Sequence, residues 1–422
     1  MTVKYHYYRF KDLNIIHFQS KNKQLSKFAY KFKIGSSVEL PDEWGLAHML
    51  EHNIFKGNKI HGNSIDLNRK FKEIGYARNA STGTDNTCYY ATGLSSFFSE
   101  GLNLLTDLVF HPSFPEDEFI KEKNPILNEL EMYASDPIGN FFEMGRELIL
   151  GEREHNIVGT KKTIRNMNYD TMIRFYKRYY TLENVTLIIE DHRSRKEIEK
   201  LLNKMELIQS IQKSEEVFNG LQLPNLANRS FNERNKTFFA TTDSMAIVYS
   251  HQSLEIKNKI DILIAPLAEQ ILSDILYEEI RDRMGLATYS IQASFSREGY
   301  PSISNVYALV SLDNLKKVKN EMAKILYNHA RLNSLITDQL YLSNKLLRNV
   351  DLISIYNEDV WYAKVYQRHN VHFDSYEEIL SLYDSITKED ILTFLKTLLS
   401  RKKSILILKG NERRFKRDEL NQ

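Results

Sequence analysis

WGLAHMLEHNIF, residues 44–55, is the stretch from which the fold and chemistry of this 422-residue chain can be inferred. Its leucines and its methionine recur at helical spacing and no proline interrupts them, so the stretch is predicted to form a buried helix. Asp42 is a suitable N-cap for this helix, and Glu43 would then lie in its first turn.

His48, Glu51 and His52 occupy positions i, i+3 and i+4 of this helix, so they share one face. Two imidazoles on successive turns can bind one metal ion, with the carboxylate held beside it. The spacing H-x-x-E-H is the reverse of H-E-x-x-H, in which two histidines bind zinc and the glutamate is the general base. The alternative is two ordinary histidines near a helical glutamate, and a third ligand is needed to favour the metal site.

The motif resembles that of the inverted-motif zinc metallopeptidases, the family that includes pitrilysin, insulysin and the mitochondrial processing peptidase. In that family the third ligand is a glutamate about 75 residues after the second histidine, and another glutamate lies two helical turns before it. Here Glu129 follows His52 by 77 positions (129 − 52), and Glu122 and Glu129 are i and i+7. The resemblance therefore implies one zinc ion per chain, bound by His48, His52 and Glu129.

The resemblance also implies roles for four further residues. Glu51 would be the general base. Glu122 would orient a ligand or tune the local charge from outside the coordination sphere, or be a plain surface glutamate. Arg281 and Tyr289 would donate hydrogen bonds to substrate carbonyls or to the developing oxyanion. Tyr289 follows Arg281 by eight positions (289 − 281), one more than the family spacing, so Thr288 holds the place expected for the tyrosine.

Substrate binding is expected on the strand at residues 78–82, of which 79–82 are similar to the family's edge strand. An extended peptide can add to an exposed strand through backbone hydrogen bonds, here along Asn79, Ala80 and Ser81. The alternative is a polar edge strand that only resists aggregation. The resemblance implies a peptide substrate, and a chain of this length resembles half of the long single-chain members. It is therefore expected to form a homodimer, or a heterodimer with a related subunit.

A helix–strand unit occurs twice in the chain. An ungapped offset of 219 places Phe175 opposite Phe394 (394 − 175) and Leu187 opposite Leu406 (406 − 187). Because this offset is close to half the chain, the sequence predicts an α+β fold of two homologous domains, each a mostly antiparallel sheet with helices packed on it. The expected regions are a zinc-binding domain at 1–213, a linker at 214–236, and a second domain without a metal site, carrying the arginine and tyrosine, at 237–422.

Composition excludes several classes of partner. The chain has 57 basic and 55 acidic residues, a formal net charge of +2, so neither nucleic acid nor an anionic membrane is expected to bind. No apolar run reaches the about 18 residues of a membrane span. Cys88 is the single cysteine, so no internal disulfide can form. A reducing compartment is favoured, and the absence of a recognisable targeting segment favours the cytoplasm.

The sequence thus predicts a zinc-dependent endopeptidase that cleaves short, extended peptides, with a glutamate as general base. Three alternatives stay open. The chain could be a non-catalytic subunit of the same fold, or an enzyme that is active only beside a different partner chain. It could also be a helical binding protein in which the motif arose by chance.

Overall fold

The computed structural model describes most of the chain in two compact units. Each unit contains one large sheet with helices, which confirms the α+β class and the two domains. The described residues are 4–20, 22–135, 156–205, 235–239, 245–254, 258–286, 290–295, 303–355, 373, 376–399 and 404–410.

The sheet of the first unit has six strands in the order β1-β2-β8-β3-β7-β6. Neighbouring strands are antiparallel, except that β2 and β8 are parallel. The strands are β1 (Lys4–Phe10), β2 (Leu13–Gln19), β3 (Leu25–Phe32), β6 (Ala77–Thr82), β7 (Thr87–Leu94) and β8 (Val185–Asp191); a separate hairpin pairs β4 (Gly57–Asn58) with β5 (Gly62–Asn63). The strand β6, where substrate binding is expected, lies at one edge of this sheet.

Helices of the first unit pack on this sheet around a continuous apolar core. The helices are α1 (Leu46–Ile54), α2 (Ser64–Glu73), α3 (Phe98–Phe110), α4 (Glu116–Ser135), α5 (Lys161–Asn166), α6 (Tyr169–Tyr179) and α7 (Arg195–Lys204). In α1, all residues except His52 are buried, so the prediction of a buried helix within residues 44–55 is confirmed. The metal motif therefore lies on a helix that is packed against the core on most of its sides.

The start of α1 differs from the prediction. The helix begins after Gly45, so the expectation of an N-cap at Asp42 is wrong. Gly45 adopts a left-handed backbone with φ of 94°, which favours glycine and interrupts the helical path from Asp42. The carboxylate of Glu39 replaces the expected cap, accepting the N–H groups of Gly45 at 2.8 Å and of Ala47 at 2.7 Å. The first turn of α1 is thus satisfied from outside the helix.

A second contact fixes the backbone at this point. A Cβ atom added to Gly45 would lie 2.4 Å from the carbonyl oxygen of Val158, and one added to Gly159 would lie 2.3 Å from that of Trp44. Both distances are far below van der Waals contact, so neither glycine tolerates a side chain without movement of the backbone. The residues before α1 and the residues before α5 are therefore packed backbone against backbone.

The sheet of the second unit has five strands in the order β11-β12-β10-β13-β9. Its strands are β9 (Asn235–Phe239), β10 (Met245–Gln252), β11 (Ile291–Ser294), β12 (Ile303–Val310) and β13 (Ser404–Gly410). Its helices are α8 (Lys259–Leu276), α9 (Leu315–Tyr327), α10 (His329–Leu335), α11 (Asp338–Ile355), α12 (Tyr376–Ser385) and α13 (Lys388–Leu398). A π-helical turn, Tyr277–Asp282, extends α8.

The two sheets repeat one topology. Read from β6 inward, the first sheet runs β6-β7-β3-β8-β2, and the second runs β11-β12-β10-β13-β9, with the one parallel pair in the same place. The predicted offset of 219 also superposes element bounds, because 169 + 219 and 179 + 219 are the ends of α13, and 185 + 219 and 191 + 219 are the ends of β13. The predicted internal repeat is therefore confirmed.

The expected domain boundaries stay a prediction. Residues 214–234 of the expected linker lie outside the described residues, and its last two residues begin β9. Cys88 lies on β7 and is buried. Within the described part of the chain, no helix combines the length and the apolar character needed to cross a bilayer.

Candidate metal centre

Two helices supply the charged residues of the site. α1 carries His48, Glu51 and His52, and α4 carries Glu122 and Glu129. α4 is continuous over 20 residues, so the two glutamates, seven positions apart, lie on one face. That face meets the polar face of α1, and the five side chains come together although 77 positions separate His52 from Glu129.

The side chains of His48, His52 and Glu129 converge on one point. Each offers one ligand atom, and these atoms all lie within 4.8 Å of one another. Oε2 of Glu129 lies 3.6 Å from Nε2 of His48 and 3.7 Å from Nε2 of His52. Two ligand atoms of a tetrahedral zinc ion, each about 2.1 Å from the metal, are about 3.4 Å apart. The two distances to Glu129 therefore fit a zinc ion with shifts of a few tenths of an ångström, and the ligand atoms of the two histidines, within 4.8 Å of each other, can close on the same ion.

Glu122 lies behind His52 and is almost fully buried. Its Oε1 is 2.8 Å from Nδ1 of His52, and its other oxygen pairs with the ammonium of Lys56. Burial raises the pKa of Glu122, but the hydrogen bonds with His52 and Lys56 outweigh burial and the net pKa is lowered. An ionised Glu122 fixes the orientation of the His52 ring, with Nε2 directed at Glu129. Glu122 is therefore not a plain surface glutamate.

The two histidines differ electrostatically. Burial, followed by the nearby His52, lowers the pKa of His48 to about 3, so His48 is neutral at pH 7 and can bind a metal. Burial also lowers the pKa of His52, but the hydrogen bond with Glu122 and the neighbouring carboxylates more than offset it, and the net pKa is raised. A bound cation would favour the neutral form of both rings.

Glu51 lies beside the two histidines and is 8% exposed. The hydroxyl of Thr82, the last residue of β6, donates a hydrogen bond of 2.5 Å to its Oε2. Burial raises the pKa of Glu51 by more than this hydrogen bond lowers it, so the net pKa is raised. A carboxylate with a raised pKa is better matched to proton transfer near neutral pH than an exposed one.

The edge strand β6 places the expected substrate-binding residues as follows. Asn79 and Ser81 are exposed and Ala80 is half-buried, in an alternating pattern along the strand. Oδ1 of Asn79 accepts the N–H of Ala80 at 2.9 Å. Among the described strands β6 pairs only with β7, so its outer edge is available for another strand. The strand leads directly to Thr82 and hence to Glu51.

Arg281 belongs to the second unit and lies in the π-helical turn that extends α8. Its guanidinium carbon is 4.7 Å from the centroid of the Tyr277 ring, a cation–π contact. π-Helical turns often mark functional positions. Tyr289 and Thr288 lie outside the described residues. The structure thus describes the surroundings of Arg281 within its own unit, and the roles of Arg281 and Tyr289 stay predictions.

Sequence reasoning missed three residues that shape the site. Lys56 follows His52 by four positions, so helical spacing could have indicated that it lies near the motif face. Glu39 precedes the helix by a loop, and Thr82 lies on another element. Their contacts with α1 depend on how these parts pack, and no local pattern in the sequence indicates them.

Two family models match the chain. The model for insulinase, peptidase family M16, matches residues 15–146, which include the three candidate zinc ligands. The model for the peptidase M16 inactive domain matches residues 166–335. The first match falls on the domain with the metal motif, and the second includes α8, which has no such motif.

Relatives and solved structures agree with these matches. An uncharacterized zinc protease of Rickettsia bellii is 30% identical over 300 residues, covering 69% of this chain and 71% of the relative. Another, from Rickettsia felis, is 26% identical over 392 residues, covering 90% and 92%. The crystal structure of a peptidase M16 inactive domain from Pseudomonas fluorescens shares the fold with a TM-score of 0.83 at 16% identity, covering 96% of this chain and 98% of that chain. The resemblance inferred from the motif is confirmed: the chain belongs to peptidase family M16, the insulinase family, and contains both its N- and C-terminal domains.

Proposed function

We propose that this protein is a zinc-dependent endopeptidase that cleaves short, extended peptides. The observation that supports this most strongly is the convergence of His48, His52 and Glu129, with the buried carboxylate of Glu51 beside them. The zinc-protease names of the relatives support the same metal and the same class of reaction.

One zinc ion per chain would be held by Nε2 of His48, Nε2 of His52 and a carboxylate oxygen of Glu129. Three protein ligands leave one position open, which distinguishes catalytic from structural zinc sites. When bound, zinc lowers the pKa of a coordinated water toward about 7 and polarises the scissile carbonyl. Glu122 holds the His52 ring in place through Nδ1, so the imidazole presents Nε2 to the ion.

Glu51 is proposed as the general base. Its Oε2 accepts a hydrogen bond from the Thr82 hydroxyl, and none of the described residues forms a hydrogen bond with its Oε1. That oxygen would take a proton from the attacking water and return it to the leaving amine. The burial that raises the Glu51 pKa makes the protonated carboxyl a stable intermediate form, because the charged form is poorly solvated.

The peptide is proposed to bind as an added strand on β6. Backbone hydrogen bonds along Asn79, Ala80 and Ser81 depend little on the peptide sequence, whereas they require an extended conformation. This favours flexible peptides over folded proteins as substrates. Because β6 ends at Thr82, a peptide paired with it would run toward Glu51.

Arg281 and Cys88 bear on the assembly and the location of the protein. Arg281 is proposed to serve the zinc site of a neighbouring subunit, identical or related, in a dimer. Cys88 is the single cysteine, so the chain has no internal disulfide, and a reducing compartment such as the cytoplasm is proposed on this ground.

The experiment that tests the proposed function combines zinc analysis with a quenched-peptide cleavage assay, with and without a chelator. Glu51→Gln should keep its zinc and its fold but lose cleavage by about a hundredfold or more, since it removes proton transfer and leaves the ligands unchanged. Glu73→Gln on α2 is a matched control, because Glu73 is exposed and far from the motif in the sequence. Cleavage by Glu51→Gln at the wild-type rate would end the proposed mechanism. A zinc-loaded wild-type protein that cleaves no peptide would indicate a non-catalytic or partner-dependent subunit.

A further inference from the structure

The contact between Thr82 and Glu51 joins the edge strand to the general base. The Thr82 hydroxyl donates to Oε2 of Glu51 at 2.5 Å, and the carboxylate is 8% exposed. A hydrogen bond donated to a carboxylate is stronger than one between neutral groups, and exclusion of water strengthens it further. Thr82 therefore restrains the carboxylate rather than only lying next to it.

The backbone around Thr82 is itself well fixed. Thr82 pairs with Thr87 on β7, and the turn that follows is closed by a hydrogen bond of 2.7 Å from Gly83 N–H to Asn86 O. The Gly83 carbonyl also accepts the N–H of Ser36 at 3.1 Å. Threonine is branched at Cβ, so its χ1 angle is restricted. The hydroxyl is thus presented from a fixed position, whereas the glutamate side chain has several rotatable bonds.

We propose that Thr82 is a positioning residue for the general base, so that the strand that docks the peptide also sets the orientation of Glu51. This inference rests on the proposed function. Thr82 holds Oε2, which leaves Oε1 on the side chain for the proton transfer. The backbone of β6 then positions both the bound peptide and the carboxylate that acts on it. Their relative position therefore does not depend on the rotamers of Glu51.

Two substitutions separate the hydroxyl from the shape of the side chain. Thr82→Val keeps the β-branched shape and removes the donor, and kcat should fall about tenfold to a hundredfold. KM should change by less than about twofold, because the peptide still pairs with the same backbone. Thr82→Ser keeps the hydroxyl and should recover kcat to within about threefold of wild type, the remainder reflecting a less restricted χ1 angle.

Thr92→Val is the matched control. Thr92 lies on β7 opposite Ala77, at the other end of β6, and its side chain forms no hydrogen bond with the described residues. The same loss of a hydroxyl there should leave kcat, KM and thermal stability unchanged. All variants are compared for zinc content, which a positioning role for Thr82 should not alter. Their melting temperatures are also compared, and Thr82→Val should melt a few degrees lower because one buried hydrogen bond is lost.

The kinetic and stability measurements distinguish a positioning role for Thr82 from a purely structural one. Reduced kcat in Thr82→Val, recovery in Thr82→Ser, and unchanged KM, zinc content and folded fraction at the assay temperature support the inference. It is overturned by wild-type kcat in Thr82→Val, by equal loss in both variants, or by a loss of kcat that accompanies loss of zinc or unfolding at the assay temperature. Glu51→Gln is measured in parallel. If that variant cleaves normally the proposed function fails, and if it is inactive while Thr82→Val is fully active only the role of Thr82 fails.

Discussion

Lowering the pH from about 7.5 to about 5.5 should destabilise the protein by about 1.3 kcal/mol through His17 alone. His17 lies on β2 and is fully buried, with its ring centroid 5.6 Å from that of His6. Burial and, secondarily, the nearby His6 lower the pKa of His17 to about 4, although Asp191 acts in the opposite direction. The unfolded chain, with a histidine pKa of about 6.5, therefore binds this proton more readily than the folded protein.

The sign and the size follow from these two values. Because the folded pKa is depressed, the contribution is complete above pH about 6.5 and is lost as the pH falls from there toward about 4. At pH about 5.5 protonation of His17 stabilises the unfolded state by RT ln(1 + 10), about 1.4 kcal/mol, and it stabilises the folded state by almost nothing. At pH about 7.5 protonation stabilises the unfolded state by less than about 0.1 kcal/mol. The free energy of unfolding therefore falls by about 1.3 kcal/mol between the two pH values.

The assay is urea-induced unfolding, followed by circular dichroism at both pH values in the presence of a chelator. His17→Gln removes the titrating group, so wild type should lose about 1.3 kcal/mol more than this variant between the two pH values. Because the change in unfolding free energy between the two pH values is compared, any pH-independent effect of the substitution on stability cancels. The comparison also cancels the contribution of His251, which is buried in the second unit with a pKa of about 4 in both proteins. Identical pH dependence in wild type and His17→Gln would refute the assignment of this effect to His17.

Two further predictions concern the metal and the assembly. Glu129→Gln should lose most of the zinc, because a neutral amide is a poorer ligand than a carboxylate, whereas Glu131→Gln, an exposed change on the same helix, should retain it by elemental analysis; full retention in Glu129→Gln would remove Glu129 from the ligand set. If the protein is a homodimer and Arg281→Ala is inactive alone, mixing it with Glu51→Gln should restore about a quarter of wild-type cleavage, since about half the dimers are mixed and each has one intact site. No recovery, with mixed dimers verified by mass, would place Arg281 in its own chain's site or on another partner.

The elements that could be predicted from the sequence are those in which local spacing reports geometry. Positions i, i+3 and i+4 brought His48, Glu51 and His52 onto one face, and helical spacing did the same for Glu122 and Glu129. That α4 meets α1 was implied by the family resemblance and by no pattern in the residues themselves. The internal repeat was visible because both copies kept the same helix, connection and strand lengths.

The features that could not be predicted depend on packing between distant segments. Aspartate suits an N-cap, so the sequence predicts the cap at Asp42, but the left-handed backbone at Gly45 starts the helix later. The group that satisfies the first turn is Glu39, whose carboxylate reaches back over a loop. A sequence shows which residues can accept a hydrogen bond, and only the fold shows which donor each of them meets.

The short length of α1 has a consequence for any attempt to transplant the motif. α1 has nine residues, whereas isolated helices shorter than about 12 residues are marginal in water even with favourable sequences. Its first turn relies on the Glu39 carboxylate, and its entry is held where Gly45 meets Val158. A synthetic peptide of residues 44–55 would therefore contain the two histidines without their relative orientation. Grafting this site onto another scaffold therefore requires the contacts that stabilise the helix as well as its sequence.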